Sequence, residues 1–327
     1  SIVTPAYETE EAHIQEMIAS VQAQSYRRWE LIIVDASKSG RVEKTVRQII
    51  AETNDMRIKY RRLSENLGIS GNTNAAIALA AGDYIAFLDH DDFITPDALY
   101  CMAIAIQETK VQNYAPVMIY SDEDKYDEAS QMFTTPHIKE KFNLDLILSN
   151  NYVCHFMAVE AKLLKTLRLR EEYDGAQDYD LVLRITDNLL KRDLTRRIDS
   201  MIVHIPRVLY HWRSHAQSTA LNTQSKSYAY EAGRMALVDF CGKQGWEVQV
   251  VHGLHLGFYE IAYEPDILTA RKEVGVVGGR ILDAGGCICA GAYDESGNCL
   301  FAGLNGHYSG GSTHRAVLKQ DCAAVDV

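Results

Sequence analysis

At about 150 residues per domain, a chain of 327 residues has room for two domains, or for one large domain with an appendage. Hydrophobic residues make up 47% and charged residues 24%, which predicts an ordinary folded core and excludes disorder. A formal net charge of −11 argues against non-specific duplex nucleic acid binding, because so acidic a surface repels phosphate backbones; it leaves open a nucleotide held locally through a metal ion.

Ile2-Val3-Thr4 reads as a strand, followed by a helical pattern from about Glu10 to Gln24 and a second strand over Glu30 to Asp35. A second helical pattern covers about Val42 to Glu52 before strand-like Arg57 to Tyr60, and a third covers about Gly71 to Ala81 before Tyr84 to Leu88. Short apolar strands separated by helices of this length predict βαβ units and a parallel sheet buried on both faces. Ligands of such sheets lie beyond the carboxyl ends of the strands. Thr95-Pro96-Asp97 is a helix start, with a hydroxyl N-cap and proline at the first helical position. Val117 to Tyr120 and Val153 to Val159 then read as strands. A helix with Leu181, Ile185 and Leu189 on one face follows Gly175. Met201 to Trp212 reads as a strand with its ending loop, and about Ser225 to Cys241 as a closing helix. Beyond Gly253 the texture changes, and residues 274 to 311 are glycine-rich with short alternating strands.

No apolar run approaches the roughly 18 residues of a membrane span; the best stretch, Ala75 to Leu88, is broken by Gly82-Asp83. Seven scattered cysteines do not read as a disulfide framework, and Cys287 and Cys289, one residue apart, suit neither a zinc knuckle nor a redox pair. They read as reduced thiols of a cytoplasmic protein. The chain starts without Met inside a strand-like run, as an excised segment would, so the missing signal peptide says little about location.

The sharpest feature is Phe87-Leu88-Asp89-His90-Asp91-Asp92. Three carboxylates within four residues at a strand's carboxyl end are costly unless a cation or hydrogen-bond donors neutralise them. Mg²⁺ and Mn²⁺ suit such oxygens and complete their shell with phosphate. The alternative is a solvated turn capping the next helix, a role open to Asp92. Asp35 ends the second strand at the same sheet edge, where it would accept from a base N–H or a ribose hydroxyl, or else form an Asx-turn. Thr4-Pro5-Ala6-Tyr7-Glu8 offers a proline-fixed loop and, in Tyr7, an aromatic face for a base or for packing. Asn66-Leu67-Gly68-Ile69-Ser70-Gly71-Asn72-Thr73-Asn74 lets backbone approach a ligand at a helix N-terminus, although it is neither a Walker loop nor Gly-x-Gly-x-x-Gly. Together these four loops describe a nucleoside-diphosphate site.

In order, Val3-Thr4-Pro5-Ala6-Tyr7, Val34-Asp35-Ala36-Ser37, Asn66-x-Gly68 and Leu88-Asp89-His90-Asp91-Asp92 resemble family 2 glycosyltransferases of the GT-A fold. Gly175-Ala176-Gln177-Asp178-Tyr179-Asp180-Leu181 and Leu209-Tyr210-His211-Trp212-Arg213 extend the resemblance over roughly residues 1 to 240. It implies an α/β, Rossmann-like, mostly parallel sheet flanked by helices, with a small β-rich C-terminal appendage. The glycosyltransferase domain would span 1–245, with a nucleotide-binding half (1–110) and an acceptor half (111–245), and the appendage 246–327. Residues from about Val274 onward resemble the middle of a second such module, but no second Asp-x-Asp precedes them.

The implied activity is inverting transfer of a sugar from a UDP- or dTDP-linked donor to a glycan or lipid-linked glycan. Mn²⁺ or Mg²⁺ usually assists. The setting would be bacterial surface-polysaccharide synthesis, in the cytoplasm or peripherally at the inner membrane face. By position, Asp35 would contact the base, Asp89 the ribose or metal, Asp91 the metal, and Asp178 would be the catalytic base. Thr4, Pro5, Tyr7, Glu8, Asn66, Gly68 and Asn72 fall in the nucleotide-binding loops. Three departures stand out: Asp35-Ala36 replaces the usual Asp-Asp, Thr73 replaces an arginine before Asn74, and Gln177-Asp178 replaces Glu-Asp.

A sugar hydroxyl is a poor acid, so a positioned carboxylate is useful, and Asp178 opens an amphipathic helix after the Asp174-Gly175 turn; it either takes that proton or caps the helix. His211, with His215 next, would complete a metal shell, Arg213 would clamp phosphate oxygens bidentately, and Trp212 is either a platform under a sugar or core. A sugar nucleotidyltransferase should open with a glycine-rich loop carrying Arg and Lys, which Pro5-Ala6-Tyr7-Glu8 is not. A non-catalytic carbohydrate-binding scaffold is opposed by the retention of Asp91 and Asp178. The basic runs Arg57 to Arg62 and Lys191 to Arg197 read as solvated faces rather than a nucleic-acid surface.

Overall fold

The computed structural model describes residues 1–111, 115–192, 198, 201–214 and 227–271, then 274, 277, 281–284, 287–290, 292–293, 296–300, 302 and 324–325. Strands and helices alternate first as β1 (Ile2–Ala6), α1 (Glu11–Gln22), β2 (Leu31–Asp35), α2 (Arg41–Thr53), β3 (Ile58–Arg62), α3 (Gly68–Leu79) and β4 (Tyr84–Phe87). These four strands are parallel in the order β3-β2-β1-β4. Every residue of β1 and β2 is buried, as the unbroken apolar runs require of strands covered on both faces. Ile2, Ala6, Leu31 and Ile33 join Ile14, Met17 and Ile18 of α1 and Val42 and Val46 of α2 in one core, while α3 packs on β1 and β2. The edge strand β3 is blunted by charge: Lys59 pairs with Glu30, Arg62 with Glu43, and Arg57, just before it, with Asp55.

The chain continues through β5 (Phe93–Ile94), α4 (Ala98–Val111), β6 (Met118–Asp127), β7 (Met132–His137), α5 (Leu144–Ile147), β8 (Met157–Glu160), α6 (Ala161–Leu167), α7 (Gln177–Arg192), β9 (Ile202–Ser214) and α8 (Ser227–Gln244). The sheet extends β4-β8-β6-β9-β5, with β7 paired to β6. Here β8 is antiparallel to both neighbours and β9 parallel to β6, so the sheet is parallel in its first half and mixed in its second. Leu181, Ile185 and Leu189 form the buried stripe of α7 expected from their spacing.

Two expected boundaries move for local reasons. Strand β1 runs on through Thr4-Pro5-Ala6, so the loop begins at Tyr7. Proline is tolerated there because β4 pairs only with Ile2 and Val3, leaving the Pro5 nitrogen beyond the ladder. Helix α3 starts at Gly68, because Asn66 Oδ1 accepts from the Gly68 N–H (3.0 Å) and from Asn72 Nδ2 (2.8 Å), and Asn72 Oδ1 accepts from the Leu67 N–H.

Contacts divide the chain into two units, Ser1–Phe142 with Val153–Gly233, and Asn143–Tyr152 with Arg234–Val327. The second holds the antiparallel hairpin β10 (Val248–His252) and β11 (Tyr259–Tyr263). Asn143–Tyr152 joins that unit because Asp145 pairs with buried Arg271, and Ser149 O accepts from the Tyr259 N–H (2.8 Å). Among the described residues no helix is long and apolar enough to cross a membrane.

Near the start of α7, Asp180 is buried between Arg170 and Arg184, and Arg184 also donates to Leu167 O and Arg168 O. Removing one member of such a buried network leaves charge uncompensated. Asp180→Ala is therefore expected to lower unfolding stability by about 3–5 kcal/mol, measured by urea denaturation.

Candidate active site

The loops after β1 and β2 interlock. The Glu8 N–H donates to Ser37 Oγ (2.7 Å), and the Glu8 carboxylate accepts from the Lys38 and Ser39 N–H groups and from Ser39 Oγ. Those hydrogen bonds, led by that from Ser39, hold the Glu8 carboxyl below its ordinary value. Asp35 is fully buried: Oδ1 accepts from the Ser37 N–H (2.8 Å), which is the Asx-turn, and Oδ2 from Tyr60 Oη (2.7 Å). Tyr7 stands 44% exposed at the end of β1, whereas Thr4 and Pro5 are buried within the strand.

At the end of β4 the three carboxylates separate by environment. Asp92 is buried and bonded to Tyr210 Oη and to the Arg213 N–H (2.7 Å), so it ties the strand end to β9. Asp89 accepts no side-chain hydrogen bond from a described residue. Burial raises its carboxyl, the Asp91 and Asp178 charges add to that rise, and His155 and His90 oppose it. Asp91 and Asp178 therefore both lie within electrostatic reach of Asp89.

Asp178 is carried there by tertiary contacts from α3. Asn74 exchanges two hydrogen bonds with Leu169 (both 2.8 Å), Ser70 Oγ donates to Arg170 O, and the Ser70 N–H donates to Asp174 Oδ1 (3.3 Å). Gly68 has φ +76°, and a Cβ there would lie 2.8 Å from Asp174 Oδ2. Gly175, at φ +94°, would bring a Cβ within 2.8 Å of Tyr228 and Ala229. Both positions need glycine, and both set the turn that opens α7 at Gln177 and Asp178.

A second set of residues, unmarked by any sequence motif, borders the acids. The buried Glu123 carboxylate accepts from the His155 N–H (3.1 Å) and contacts His137 Nδ1 (3.2 Å) and Lys139 Nζ (3.7 Å). Lys139 Nζ, fully buried, donates to Val153 O (2.6 Å) and to His155 O. Cys154 between them has φ +37°. A non-glycine residue in that region persists only where its surroundings over-determine it. The acidic run Ser121 to Asp124 in β6 was the available signal, but its neutralising partners are far away in sequence.

Other candidates go elsewhere. Side chains alternate along β9, and His211 lies on the opposite face from Tyr210 and Trp212. It bonds Asp124 (2.6 Å) and packs on Phe93 and Phe133. Arg213 is buried, donating to Asp91 O (2.7 Å) and Glu16 (2.5 Å), with Glu128 at 3.5 Å. Its guanidinium is thus committed to protein acceptors rather than open to phosphate. Trp212 is half-buried beside Lys125 Nζ (5.3 Å) and the edge of His155 (6.2 Å). His215 lies outside the described residues. A cavity of about 350 Å³, lined by Ser1, Trp29, Tyr84 and Met102 among others, sits at the amino ends of the strands, away from these acids.

The family model for glycosyl transferase family 2 matches residues 1–168, half of the chain. The chain belongs to that family. Among curated relatives, the O-antigen biosynthesis protein RfbC of Myxococcus xanthus is 32% identical over 252 residues, covering 76% of this chain and 18% of RfbC. Protein y4gI of Sinorhizobium fredii is 37% identical over 256 residues, covering 77% and 26%. The chain thus spans about a quarter or less of the length of these relatives. The S. aureus TarS 1-349 structure with UDP-GlcNAc has a TM-score of 0.54 at 18% identity, covering 74% of this chain and 65% of that one, and shares the fold.

In this family 2 glycosyltransferase, no group of three His, Cys, Asp or Glu side chains among the described residues is gathered to hold a metal ion. Asp89 with Asp91 nonetheless fits a hard cation whose shell is completed by substrate phosphate, since Asp89 has no donor of its own and faces like charge.

The Glu123 network gives the transferase a defined acid sensitivity. Burial would raise the Glu123 carboxyl, but the Lys139 ammonium, the His137 hydrogen bond and His155 bring it from 4.5 down to about 2. A depressed carboxylate stabilises the fold fully above its unfolded value, and that stability is lost as pH falls through the folded one. Wild-type protein is expected to lose about 3 kcal/mol through this group between pH 4.5 and 2. Glu123→Gln should be less stable at pH 7 and lack that part of the acid limb, as read by urea unfolding at a series of pH values.

Proposed function

We propose that this domain transfers a sugar, with inversion, from a nucleoside-diphosphate sugar to a hydroxyl of a glycan or lipid-linked glycan in surface-polysaccharide synthesis. The observation that carries the reading is that Asp91 and Asp178, more than eighty residues apart in sequence, both act electrostatically on Asp89 at the carboxyl end of β4. The name of RfbC and the UDP-GlcNAc bound to TarS favour this substrate class. In the reading, residues 1–245 catalyse at the cytoplasmic side, peripherally on the membrane if attached, and residues 246–327 serve as an appendage.

Asp178 takes the proton of the acceptor hydroxyl as its oxygen forms a bond to the anomeric carbon. The bond from that carbon to the diphosphate oxygen breaks, and its electron pair leaves with the nucleoside diphosphate. Attack opposite the leaving group inverts the centre. The Tyr7 face serves the nucleoside, Asp35 acts only by fixing the loop after β2 through its Asx-turn, Asn66, Gly68 and Asn72 shape the loop near the phosphates, and Trp212 borders the sugar. Asp89 and Asp91 would hold Mn²⁺ or Mg²⁺, which when bound neutralises charge on the diphosphate.

A carboxylate acting as base contributes about 10²–10⁴-fold. Asp178→Asn should therefore lower kcat by that factor while calorimetric binding of the nucleoside diphosphate stays unchanged. Asp91→Ala should instead weaken donor binding in Mn²⁺. Near-normal turnover by Asp178→Asn would remove that residue from the role, and wild-type activity untouched by a chelator would remove the metal.

A further inference from the structure

We propose that His155 is a substrate-contacting residue of this site, donating a ring N–H to an oxygen of the donor's diphosphate. The proposal rests on the transferase reading above and adds a residue to it. Its first support is a contrast within the same sheet. His204 and His211 each spend a ring nitrogen on a carboxylate, Asp122 at 2.8 Å and Asp124 at 2.6 Å, as histidines with a structural role do. His155 is half-buried, yet neither of its ring nitrogens has a hydrogen-bond partner among the described residues. Its ring lies flat on Tyr210, with centroids 4.8 Å apart and planes 19° apart, and meets the edge of Trp212.

The second support is the amount of structure devoted to placing that ring. Its backbone N–H is taken by Glu123 and its carbonyl by Lys139, and Cys154 before it has φ +37°. An imidazole held this way loses little freedom on meeting a ligand.

The third support is its surroundings. His155 stands close enough to Asp89 to act against the rise that burial, Asp91 and Asp178 impose on its carboxyl. Tyr210, the ring under His155, accepts from the Asp89 N–H (3.4 Å) and donates to Asp92. His155 therefore belongs to the Asp89 side of the site, where the diphosphate is read, rather than to the acceptor. In a site so rich in acceptors, the group missing from around the diphosphate is a donor. As the bond to the anomeric carbon breaks, the electron pair moves onto the phosphate oxygen, and a preorganised N–H aimed there stabilises the growing charge. His155 gives up no proton; the acceptor's proton goes to Asp178.

The test compares H155F, which keeps the stacking ring without a donor, with H155Q, which keeps a donor. Each purified chain is titrated calorimetrically with UDP, dTDP and GDP and with the corresponding nucleosides, and kcat and KM are measured for the preferred donor. H155F should bind the preferred diphosphate about tenfold more weakly, as loss of a charge-assisted hydrogen bond implies. Nucleoside binding should not change, kcat should fall, and H155Q should stay close to wild type. If H155F proves unstable, H155N, whose donor is too short to reach, should show the same selective loss of diphosphate affinity. Equal diphosphate affinity in H155F or a stable H155N and wild type, or a loss confined to acceptor KM, would overturn the assignment and leave the transferase reading standing. Wild-type protein that binds none of the three diphosphates and transfers no sugar would remove that reading itself.

Discussion

Carboxylates crowded at the end of a parallel sheet stay charged only if something balances them, and that requirement organises everything around β4. The chain pairs other acids internally: Asp122 with His204, half-buried Asp124 with His211, Glu123 with Lys139 and His137, Asp180 with two arginines. Asp89 is treated differently. No described residue donates to its carboxylate, and its charged neighbours include Asp91 and Asp178. Paired acids elsewhere and unpaired negative charge at this point are the contrast on which the proposed ligand site rests.

Holding Asp178 in that space is the work of contacts that cross about 100 residues of sequence, such as Asn74 with Leu169 and Ser70 with Asp174. They bind the helix after β3 to the turn before α7, so the loop at Asn66 and the base candidate move as one body. The Asp180 network stiffens the same helix two residues on. Stability and geometry are thus shared here: loosening the arginines around Asp180 would shift the helix that presents Asp178.

The parallel half of the sheet was legible because its signals are local. Apolar runs of five residues, helical periodicity between them, and acids at strand ends all lie within short windows, and the family match over residues 1–168 agrees with them. The second half was harder to read because its logic is cross-strand. The ten-residue β6 passes straight through Asp122, Glu123 and Asp124, a run that looks like a loop until His204, His211 and Lys139 are brought beside it. For the same reason His155 carried no motif, since its neighbours Glu123, Lys139 and Tyr210 are distributed over three segments. His211 and Arg213 read as ligands because an imidazole suits a metal shell and a guanidinium suits phosphate; the sequence does not show that Asp124 and Glu16 lie beside them.

Strand alternation divides β9 between two faces. Tyr210 and Trp212 point to the face that holds His155, where their rings meet its imidazole. His211 and Arg213 point to the other face, where Arg213 reaches Glu16 of α1 and His211 packs among Phe93 and Phe133. Only backbone and Asp92 connect the two: the Arg213 N–H and Tyr210 Oη grip opposite oxygens of one carboxylate. The buried acid next to the reactive pair therefore acts as the rivet between a structural face and a chemical one. Burial and the Asp89 and Asp91 charges push the Asp92 carboxyl well above its ordinary value, which eases the repulsion a third carboxylate beside them would add.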